Sequence, residues 1–496
     1  MSDAPYLTIG KALSPHLVVI VGAVVALTAD LVGLRRKEPA TRRRWVGVIC
    51  LGGLVLAMLP LLRQYGWWTP VNLLNGTLVV DQLTVLFQLV IVALTAFTVM
   101  ISMEHEIGRH VGEYFATMMF AAVGMMVLVS TEELITIFVA LELLSLCLYI
   151  LTAFHKSWLR SQEAALKYFM FGAVSSAFLL FGLSYLFGVA GTTNLRAMSA
   201  VLTGMDPLVG TGLLFALVGF GFKVAVVPFH LWAPDAYEGA PTPVTAYIAT
   251  GSKVASFFVL LKLLFVGMPN AQGSAFWGEF SSGWTMLLAV TATLSMVIGN
   301  FVAIVQRNVK RLLAYSSIAH AGYILIGLIA ATQMGAASVL FYVIVYALTN
   351  LGAFGIVAAL SERAGGDDLV NFNGMARRAP LLSLLMLIFV LSLAGIPPLG
   401  GFFGKFYLFA AAVQRDAQNF GLLWLVVIGI LTSAVSLYYY LILLKHIYVV
   451  APPQEDRIQT PSSLNFGLVV IALAVVLLGV FPQPILALLT ELLARL

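Results

Sequence analysis

Charged residues are scarce in this chain of 496 residues: Asp, Glu, Lys and Arg make up only 10% of it, whereas 61% is hydrophobic. A soluble globular protein has about 25% charged and roughly 45–50% apolar residues. The scarcity of charge therefore excludes an ordinary cytosolic enzyme, a disordered chain and a nucleic-acid-binding protein. The formal net charge of +5 needs no acidic partner, because cytoplasmic loops of membrane proteins carry an excess of Lys and Arg. The composition indicates a polytopic membrane protein.

Cysteine is nearly absent as well. Cys50 and Cys147 lie far apart, each inside an apolar run, so a disulfide framework and a cysteine metal site are excluded. The chain has no P-loop, no CxxC motif and no haem-type pair of histidines, and the glycine cluster at Gly219 and Gly221 lacks the third glycine of a dinucleotide fold. We therefore expect no redox centre, metal, cofactor or ATPase site on this chain. Energy for transport would come from an ion gradient or a partner subunit.

Apolar runs predict fourteen membrane spans. A helix needs about 20 mainly apolar residues to cross the hydrocarbon layer. No cleavable signal is predicted, because the polar segment before Pro15 leads into a run long enough to stay in the membrane. The run 380–410 contains GIPPLGGFFGK and is interpreted as one broken helix, and the residues between Trp67 and Val80 as a short hairpin or loop. The predicted spans are 15–34, 45–63, 81–103, 114–131, 133–154, 163–189, 208–228, 243–266, 284–305, 310–331, 336–361, 380–410, 420–448 and 464–489.

Basic residues orient these spans. The first loop carries a cluster of them, including Arg35, Arg36 and Lys37, and is therefore assigned to the cytoplasm. With alternating sides, 17 of the 27 Lys and Arg residues fall in cytoplasmic loops and 5 on the opposite side. The even number of spans then places both termini on the periplasmic side.

The remaining five lysines lie within spans, where a charge at the helix centre costs about 2.5–3.5 kcal/mol on insertion scales. Lys223 stands in GFGFKVAVVPFHLW. Pro228 lacks an N–H and clashes with the carbonyl four residues earlier, so the helix is predicted to break about one turn after Lys223. Backbone groups freed at membrane depth need protein or water as partners, which indicates a hydrated polar pocket. The alternative is a structural lysine paired with a carboxylate. The five lysines are Lys167, Lys223, Lys253, Lys262 and Lys405.

Lys405 repeats this arrangement in the second half of the chain. If spans 4–8 and spans 9–13 are taken as two five-helix repeats, Lys223 and Lys405 both fall in the fourth helix of their repeat. Successive repeats with an odd number of helices are inverted relative to each other. Interrupted helices at corresponding positions are typical of internally repeated transporters. The helix breakers immediately before Lys405 are Pro397, Pro398, Gly400, Gly401 and Gly404.

Glu142, in FVALELLSLCLYI, is the only carboxylate deep within its predicted span. A buried carboxylate pairs with a cation or takes up a proton, because desolvation disfavours its charged form. Ser145 and Tyr149 extend a polar stripe along the same helix face. The alternative is that Glu142 is one half of a structural ion pair.

Three further polar residues within spans are candidates, and for two of them, Lys167 and His320, an alternative stays open. Lys253 lies mid-span among small residues that leave room for water. Lys167 is four residues after Glu163, so an ordinary helix ion pair competes with a functional role. His320 either relays protons, since histidine titrates near neutral pH, or is a neutral hydrogen-bonding core residue.

Five other polar residues are given structural interpretations. Lys262 lies near a helix end and is expected to snorkel to the interface without a function. His230 and Asp235 follow the first helix break, where tying the loop is favoured over feeding protons. Asp30 and Asp81 are interpreted as terminal or interfacial carboxylates.

Long motifs around the two breaks carry a family resemblance. The strings PFHLWAPDAYEGAPTPVTAYIATGSK, NVKRLLAYSSIAHAGY and NGMARRAPLLSLLMLIFVLSLAGIPPLGGFFGKFYLF resemble the proton-translocating antiporter-like proteins. More narrowly, PDAYEGAPTPV, the closing SLYYYLILLK and the fourteen-span length resemble subunit N of bacterial NADH:quinone oxidoreductase, respiratory complex I. The resemblance extends from Asp81 to Tyr448, and the first eighty residues and the last span match in hydropathy only.

The resemblance implies an all-α polytopic membrane fold of about fourteen transmembrane helices, with two inverted five-helix repeats and broken helices 7 and 12. It divides the chain into N-terminal helices over 1–112, a first repeat over 113–266, a second repeat over 284–450 and a C-terminal helix over 451–496.

The resemblance also implies a proton path. Glu142 and Lys223 are the coupled pair of the first half-channel, Lys253 is the central relay, and Lys405 is the terminal residue of the second half-channel. Quinone reduction elsewhere would perturb the Glu142–Lys223 pair electrostatically, and a proton would move from Lys223 through Lys253 to Lys405. The family also keeps polar residues at the positions of Lys167 and His320.

The implied function is that of a proton-translocating subunit in the membrane arm of complex I. The expected setting is a bacterial inner membrane with lipids, an M-type antiporter-like subunit and small membrane subunits as partners, and no nucleic acid. NADH, FMN, iron–sulfur clusters and quinone are expected on other subunits. The alternatives are a subunit of a multisubunit sodium/proton antiporter or membrane-bound hydrogenase, and a structural scaffold whose buried charges only hold partner helices.

Overall fold

The structure, a computed structural model, describes residues 6–67, 70–452 and 456–495, and 79% of the chain is helical. Within the described residues, 13 helices are long and apolar enough to cross a membrane, and the predicted span 380–410 is present as two shorter helices. The prediction of an all-α polytopic membrane protein with a broken twelfth span is therefore confirmed. The helices pack into two units, one of Met1–Phe220 with Gly251–Ala271 and the other of Gly221–Thr250 with Gln272–Leu496.

A short hairpin separates the second and third long helices. Helix α1 is Tyr6–Thr28, continued by a π-helical turn over Ala29–Leu34, and α2 is Pro39–Tyr65. Strands β1 (Val71–Leu73) and β2 (Leu78–Val80) pair antiparallel, and α3 (Gln82–Met103) follows. The hairpin predicted for this region is confirmed.

Helix α1 begins at Tyr6, well before the predicted start of the first span at residue 15. Pro15 has no N–H to offer to the carbonyl of Lys11. Gln64 Nε2 donates to that carbonyl at 2.8 Å, and Ser14 Oγ donates to it at 2.6 Å. The predicted boundary is wrong because α2 supplies a hydrogen bond that lets the helix continue through the proline.

Five helices lead to the first break. They are α4 (Val111–Val129), α5 (Leu134–Thr152), α6 (Leu159–Ala190), the short α7 (Leu195–Val201) and α8 (Pro207–Val224). The carboxylate of Glu133 caps α5, because it accepts hydrogen bonds from the amides of Ile135 and Thr136 at 3.2 and 2.7 Å. Burial by itself would raise the pKa of Glu133, but these bonds and those from the Thr136 and Thr193 side chains lower it below its ordinary value. The cap holds the start of the helix that carries Glu142.

The first break begins directly after Lys223, not one turn later as predicted. Helix α8 ends at Val224, which is the residue whose carbonyl the ring of Pro228 would meet in a continued helix. The chain then forms α9 (Trp232–Gly239), α10 (Thr242–Ala249) and α11 (Gly251–Lys262), followed by a π-helical turn over Leu263–Gly267. The predicted eighth span, 243–266, is therefore interrupted at Thr250.

Two long helices form the core of the second unit. Helices α13 (Val309–Ile329) and α14 (Gln333–Ala364) are mainly apolar, and 94% and 89% of their most apolar segments are buried. A helix that is hydrophobic all round is expected at the centre of a helical assembly. Around them lie α12 (Trp284–Ile304), the short α15 (Met375–Arg378), α16 (Pro380–Ala394), α17 (Gly400–Arg415) and α18 (Leu423–Tyr448).

The last predicted span, 464–489, is two helices rather than one. Helix α19 is Ser462–Val480 and α20 is Gln483–Leu493. Pro482 and Pro484 stand at the start of α20, where proline is tolerated because the first helical amides have no partner within the helix. These prolines cannot continue α19, so the helix ends before them.

Contacts between helix ends agree with the predicted alternation of sides. In the first unit, Asp30 Oδ2 accepts a hydrogen bond at 2.9 Å from the amide of Gly112, which joins the end of the first long helix to the start of α4, two ends assigned to the same side. In the second unit, Trp424 Nε1 donates to the Ala275 carbonyl at 3.1 Å, which joins the start of α18 to a loop assigned to the other side. The fourteen predicted spans are consistent with both contacts.

Candidate functional site

Lys223 lies in the last turn of α8, directly before the first break. The residue is 5% exposed, and its Nζ lies 5.1 Å from the centroid of the Phe222 ring. The C-terminal end of a helix carries partial negative charge on its free carbonyl groups, which favours a nearby cation. The break thus provides a favourable position for a buried ammonium group.

Side chains replace the backbone partners that are lost at this break. The amide of Val227 donates to Ser295 Oγ at 2.9 Å, and Trp232 Nε1 donates to the carbonyl of Phe222 at 3.0 Å. Backbone groups at membrane depth require such partners. Sequence reasoning did not identify Ser295 or Trp232, although Trp232 belongs to the motif that carries the family resemblance.

Lys405 lies on α17, after the second break, and reaches back to the end of α16. Its Nζ donates to the carbonyls of Leu393 and Ala394 at 2.9 and 3.3 Å and to Ser433 Oγ at 2.8 Å. The residue is 4% exposed. All three acceptors are neutral oxygens, and within the described residues no carboxylate pairs with this lysine.

The two breaks share their chemistry but not their order. Lys223 ends the half-helix before its break, whereas Lys405 follows its break and binds the carbonyls that end the preceding half-helix. At each break, a serine hydroxyl accepts a hydrogen bond from a backbone amide that has no partner in its helix. Ser295 Oγ accepts from the amide of Val227 at the first break, and Ser392 Oγ accepts from the amide of Gly401 at 3.1 Å at the second. Each lysine is thus next to the negative end of a half-helix.

Glu142 lies on α5, half-buried, and accepts a hydrogen bond from Ser176 Oγ of α6. Ser145 lies one turn further along, where its hydroxyl donates to the carbonyl of Leu141. The Tyr149 ring packs edge-on against Tyr168, with centroids 4.6 Å apart. The pairing of Glu142 with Lys223 stays a prediction, and Ser176 is a contact that sequence reasoning did not find.

Lys167 pairs with Glu163 on the surface of α6. The two charged atoms are 2.7 Å apart, and 42% and 59% of the side chains are exposed. An exposed ion pair of this kind contributes about 0–1 kcal/mol. The helix pair that competed with a functional role for Lys167 is therefore present.

Lys253 lies near the start of α11, directly after the interruption at Thr250. It is 1% exposed, and the neighbouring Ser252 and Ser256 are also buried. The hydroxyl of Thr250 donates to the carbonyl of Ala246 at 2.7 Å and so supports the end of α10. Like Lys223 and Lys405, this lysine stands beside an interruption in its helix.

His320 is buried in the second unit, and both of its ring nitrogens have partners. Its Nδ1 is 2.6 Å from the hydroxyl of Tyr342, and its Nε2 is 3.1 Å from the hydroxyl of Tyr440. Tyr440 is in turn 2.6 Å from Ser316 Oγ. The direction of the two bonds to histidine depends on its tautomer.

A second hydrogen-bonded group surrounds Lys405. Its Nζ lies 4.9 Å from the centroid of the Tyr323 ring, and the hydroxyl of Tyr323 donates to Thr432 Oγ1 at 3.4 Å. Asn300 Nδ2 donates to the same hydroxyl at 2.9 Å, and Tyr439 donates to Asn300 Oδ1 at 3.0 Å. The site thus contains tyrosines, Tyr323 and Tyr439 among them, that sequence reasoning did not identify.

The prediction that Lys262 snorkels to the interface is wrong. Its side chain is fully buried, donates to the carbonyl of Val129 at 3.1 Å, and lies 3.8 Å from Glu132 Oε1. Glu132 is also fully buried and accepts from Arg196 at 2.7 and 3.2 Å. The hydrogen bond to Glu132 raises the pKa of the Arg196 guanidinium above its ordinary value. The buried carboxylate of Glu132, from a loop that is distant in the sequence, compensates the charge of Lys262. The lysine therefore does not need to reach water.

The other carboxylates near helix ends have structural partners. Asp30 lies in the π-helical turn that ends the first long helix, as expected of a terminal carboxylate; it is fully buried and binds Arg42 through both oxygens, at 2.8 and 2.6 Å. Asp81 caps α3 by accepting from the amide of Thr84 at 2.7 Å. Asp235 binds Arg311 at 2.6 Å, which agrees with its interpretation as a residue that ties the loop.

No group of three or more His, Cys, Asp and Glu side chains within the described residues is arranged to hold a metal ion. The buried ionisable groups around the two breaks are instead lysines, His320 and tyrosines, and Lys405 and His320 are joined to hydroxyl and carbonyl oxygens. Such groups accept, hold and pass protons without a change of oxidation state. The arrangement is suited to proton transfer.

Comparison with known proteins identifies relatives over almost the whole chain. The family described as NADH:quinone oxidoreductase/Mrp antiporter, TM, matches residues 131–436. NADH-quinone oxidoreductase subunit N 2 of Acidobacterium capsulatum is 46% identical, and the match covers 97% of this chain and 99% of that protein.

Solved structures match over a similar extent. A chain of respiratory complex I from Thermus thermophilus with bound aureothin has a TM-score of 0.78 and 34% identity, covering 95% of this chain and 98% of that chain. A chain of the Mrp complex from Dietzia sp. has a TM-score of 0.83 at 20% identity, covering 98% and 97%. The second likeness shows the fold alone.

Proposed function

The chain belongs to the antiporter-like membrane family that contains subunit N of NADH:quinone oxidoreductase, and from this premise we propose that Glu142 and the buried Lys223, Lys253 and Lys405 carry protons through the membrane arm of that complex. The protein is a proton-translocating subunit of an oxidoreductase assembly. The proposal concerns which of its residues move the protons.

The observation that carries the proposal is the environment of Lys405. Three neutral oxygens, from Leu393, Ala394 and Ser433, accept hydrogen bonds from its ammonium group. A buried lysine that is paired with a carboxylate is held in its charged form, because loss of the proton would leave the carboxylate uncompensated. Lys405 has no such constraint and can lose and regain its proton without stranding a buried anion.

Lys223 and Lys253 fit the same scheme in the remainder of the path. Each is almost fully buried and stands beside a helix interruption. Glu142 supplies the negative charge whose pairing with Lys223 would favour a protonated lysine, and loss of that pairing would favour proton release. His320, which contacts Tyr342 and Tyr440, is proposed as an additional relay in the second unit. Lys167 is the least supported member of the path, because its side chain is partly exposed.

The redox chemistry belongs elsewhere in the assembly under this proposal. NADH, FMN, iron–sulfur clusters and quinone would be held by other subunits, and this chain would respond to quinone reduction through electrostatic coupling. Its expected neighbours are an M-type antiporter-like subunit and small membrane subunits in a bacterial inner membrane, with both termini on the periplasmic side.

Replacement of Lys405 tests the proposal directly. Lys405→Met nearly conserves the length of the side chain but removes the protonatable group, and Lys405→Arg keeps a positive charge that is not released at physiological pH. We expect both variants to assemble in normal amounts on native gels and to lower proton uptake into membrane vesicles by roughly tenfold or more, because a transfer group is lost.

The two variants also separate a relay from a scaffold. If Lys405 only holds neighbouring helices, Lys405→Arg restores whatever Lys405→Met loses, and the assembled complex pumps normally. Wild-type pumping by both variants would contradict the proposed path. The exposed loop variant Lys156→Met is the matched control and is expected to leave assembly and pumping unchanged.

A further inference from the structure

Two tyrosines on different helices bind the two nitrogens of His320. Tyr342 on α14 faces Nδ1 at 2.6 Å, and Tyr440 on α18 faces Nε2 at 3.1 Å. All three residues are at most 1% exposed. Because a neutral imidazole has one donor and one acceptor nitrogen, it accepts from one phenol and donates to the other.

The Tyr342 ring also reaches the segment that carries Lys405. A side chain at Gly404, the residue before Lys405, would collide with the Cδ2 and Cε2 atoms of Tyr342. The ring therefore lies directly on the backbone of α17, while its hydroxyl lies on His320. On the other side of the histidine, Tyr440 continues to Ser316 Oγ at 2.6 Å.

We propose that Tyr342 and Tyr440 are proton-transfer residues that flank His320 and connect it to the Lys405 side of the second unit. This inference rests on the proposed function of Lys405, and it goes further by assigning a role to two tyrosines. The chain of groups runs from Ser316 through Tyr440, His320 and Tyr342 to α17.

Each group in this chain receives one proton and gives up its own. Ser316 passes its proton to the Tyr440 oxygen, Tyr440 passes its proton to Nε2, and Nδ1 passes its proton to the Tyr342 oxygen. Tyr342 then passes its proton through water to the neutral amine of Lys405, and Ser316 is reprotonated from the preceding part of the path. One proton moves, no group is oxidised or reduced, and the new ammonium is held by the α16 carbonyls.

Concerted transfer suits a buried site, because no isolated phenolate or imidazolium has to exist in surroundings of low dielectric. A buried charge without a partner is costly. Hydrogen bonds that are already formed at both nitrogens also hold the ring in the orientation needed for transfer. A histidine with a purely structural role could have the same two hydrogen bonds. Proton uptake and its pH profile are therefore measured in addition to stability.

The first test removes each hydroxyl in the intact complex. Tyr342→Phe and Tyr440→Phe keep the rings, including the packing of residue 342 on Gly404. We expect each variant to assemble normally and to lower proton uptake roughly tenfold or more, because one hydroxyl of the proton-transfer chain is lost. Tyr407→Phe is the matched control, since this tyrosine of α17 packs its ring against Phe341 at 5.8 Å and has no place in the chain.

The second test changes the acidity of the phenol without changing its shape. Residue 342 is replaced by a ring-fluorinated tyrosine, and the pH profile of proton uptake is compared with that of the wild type. Titratable groups around this ring are His320 and Tyr323 on α13, Tyr440 on α18 and Tyr346 on its own helix. On α17, Lys405 directly follows Gly404, which contacts the ring. A shift of the profile supports transfer through the phenol, whereas an unchanged profile overturns it.

Failure of this inference is distinguishable from failure of the proposed function. Normal pumping by Tyr342→Phe and Tyr440→Phe, together with impaired pumping by Lys405→Met, would overturn the tyrosine chain and leave the lysine path standing. Normal pumping by all three variants would overturn both. Impaired pumping by all three, with Tyr407→Phe unaffected, would support both.

Discussion

Buried lysines in this protein differ in how their charge is compensated, and that difference separates structure from function. Lys262 lies 3.8 Å from the buried carboxylate of Glu132, so loss of its proton would leave a negative charge with fewer partners. Lys405, by contrast, donates only to neutral oxygens among the residues that the structure describes. A lysine of the first kind stabilises the fold, whereas one of the second kind is free to change its protonation state.

Substitution of Lys262 is therefore expected to affect stability rather than transport. Lys262→Met leaves Glu132 with Arg196 as its remaining cation and should cost about 1–3 kcal/mol of unfolding free energy. Thermal unfolding of the purified complex and its content on native gels measure this effect. Proton uptake per assembled complex should stay at the wild-type level, in contrast with Lys405→Met.

A fall in uptake per complex for Lys262→Met, without a loss of stability, would place Lys262 on the proton path and contradict the structural assignment. The exposed lysine variant Lys156→Met serves as the control for stability, because substitutions on the surface usually change the unfolding free energy by less than about 0.5 kcal/mol.

At the scale of elements, the second broken span depends on close backbone contact. A Cβ atom at Gly401 would collide with the carbonyl oxygen of Ser392 at the end of α16. The hydroxyl of Ser392 also accepts a hydrogen bond from the amide of Gly401. The break can bring the end of α16 within reach of Lys405 because residue 401 has no side chain.

The substitution Gly401→Ala should separate the two half-helices. We expect a loss of about 1–3 kcal/mol of unfolding free energy, typical of overpacking, together with impaired proton uptake, because Lys405 loses its carbonyl partners. Thermal unfolding and uptake into vesicles check the two effects.

Gly188→Ala is the matched control for this element. A side chain at Gly188 in α6 would meet no atom within 4 Å, so this variant should be at least as stable as the wild type. If Gly401→Ala behaved like Gly188→Ala in both measurements, close packing at the second break would not be required.

At the scale of the whole molecule, the alternation of sides makes a prediction that chemical labelling can test. The native Cys50 and Cys147 are 0% and 6% exposed, so new cysteines on loops report on sidedness. Arg36→Cys lies in the first loop and Ala417→Cys lies between α17 and α18; both positions are exposed. A membrane-impermeant maleimide should label residue 36 from the cytoplasmic side and residue 417 from the periplasmic side.

The measurement uses right-side-out and inside-out membrane vesicles, with the unsubstituted protein as the control for native cysteines. Labelling of both positions from the same side would contradict the fourteen-span alternation. Labelling from opposite sides, but with the two sides exchanged, would contradict the assignment of the basic loops to the cytoplasm.

The span count and the break points were accessible from the sequence for physical reasons that act locally. A bilayer-spanning helix needs a long apolar run, and proline and glycine interrupt helices through their own backbone chemistry. The lysines at the breaks were also visible, because a charge within an apolar run is conspicuous. Asn, Ser and Tyr residues of the site were not visible, since tyrosine and serine are common in apolar helices without any function.

The tertiary structure decided which polar groups meet. Pro15 lies inside α1 because Gln64 of another helix serves the carbonyl of Lys11, and Lys262 is buried because Glu132 from a distant loop lies next to it. His320 has partners on α14 and α18 that are 22 and 120 residues away. Apolar runs determined the membrane fold, and prolines and glycines determined which two spans break around the buried lysines, to within about one turn, because each depends on neighbouring residues. The partners of the buried charges depend on helices that are distant in the chain, and only their packing brings these groups together.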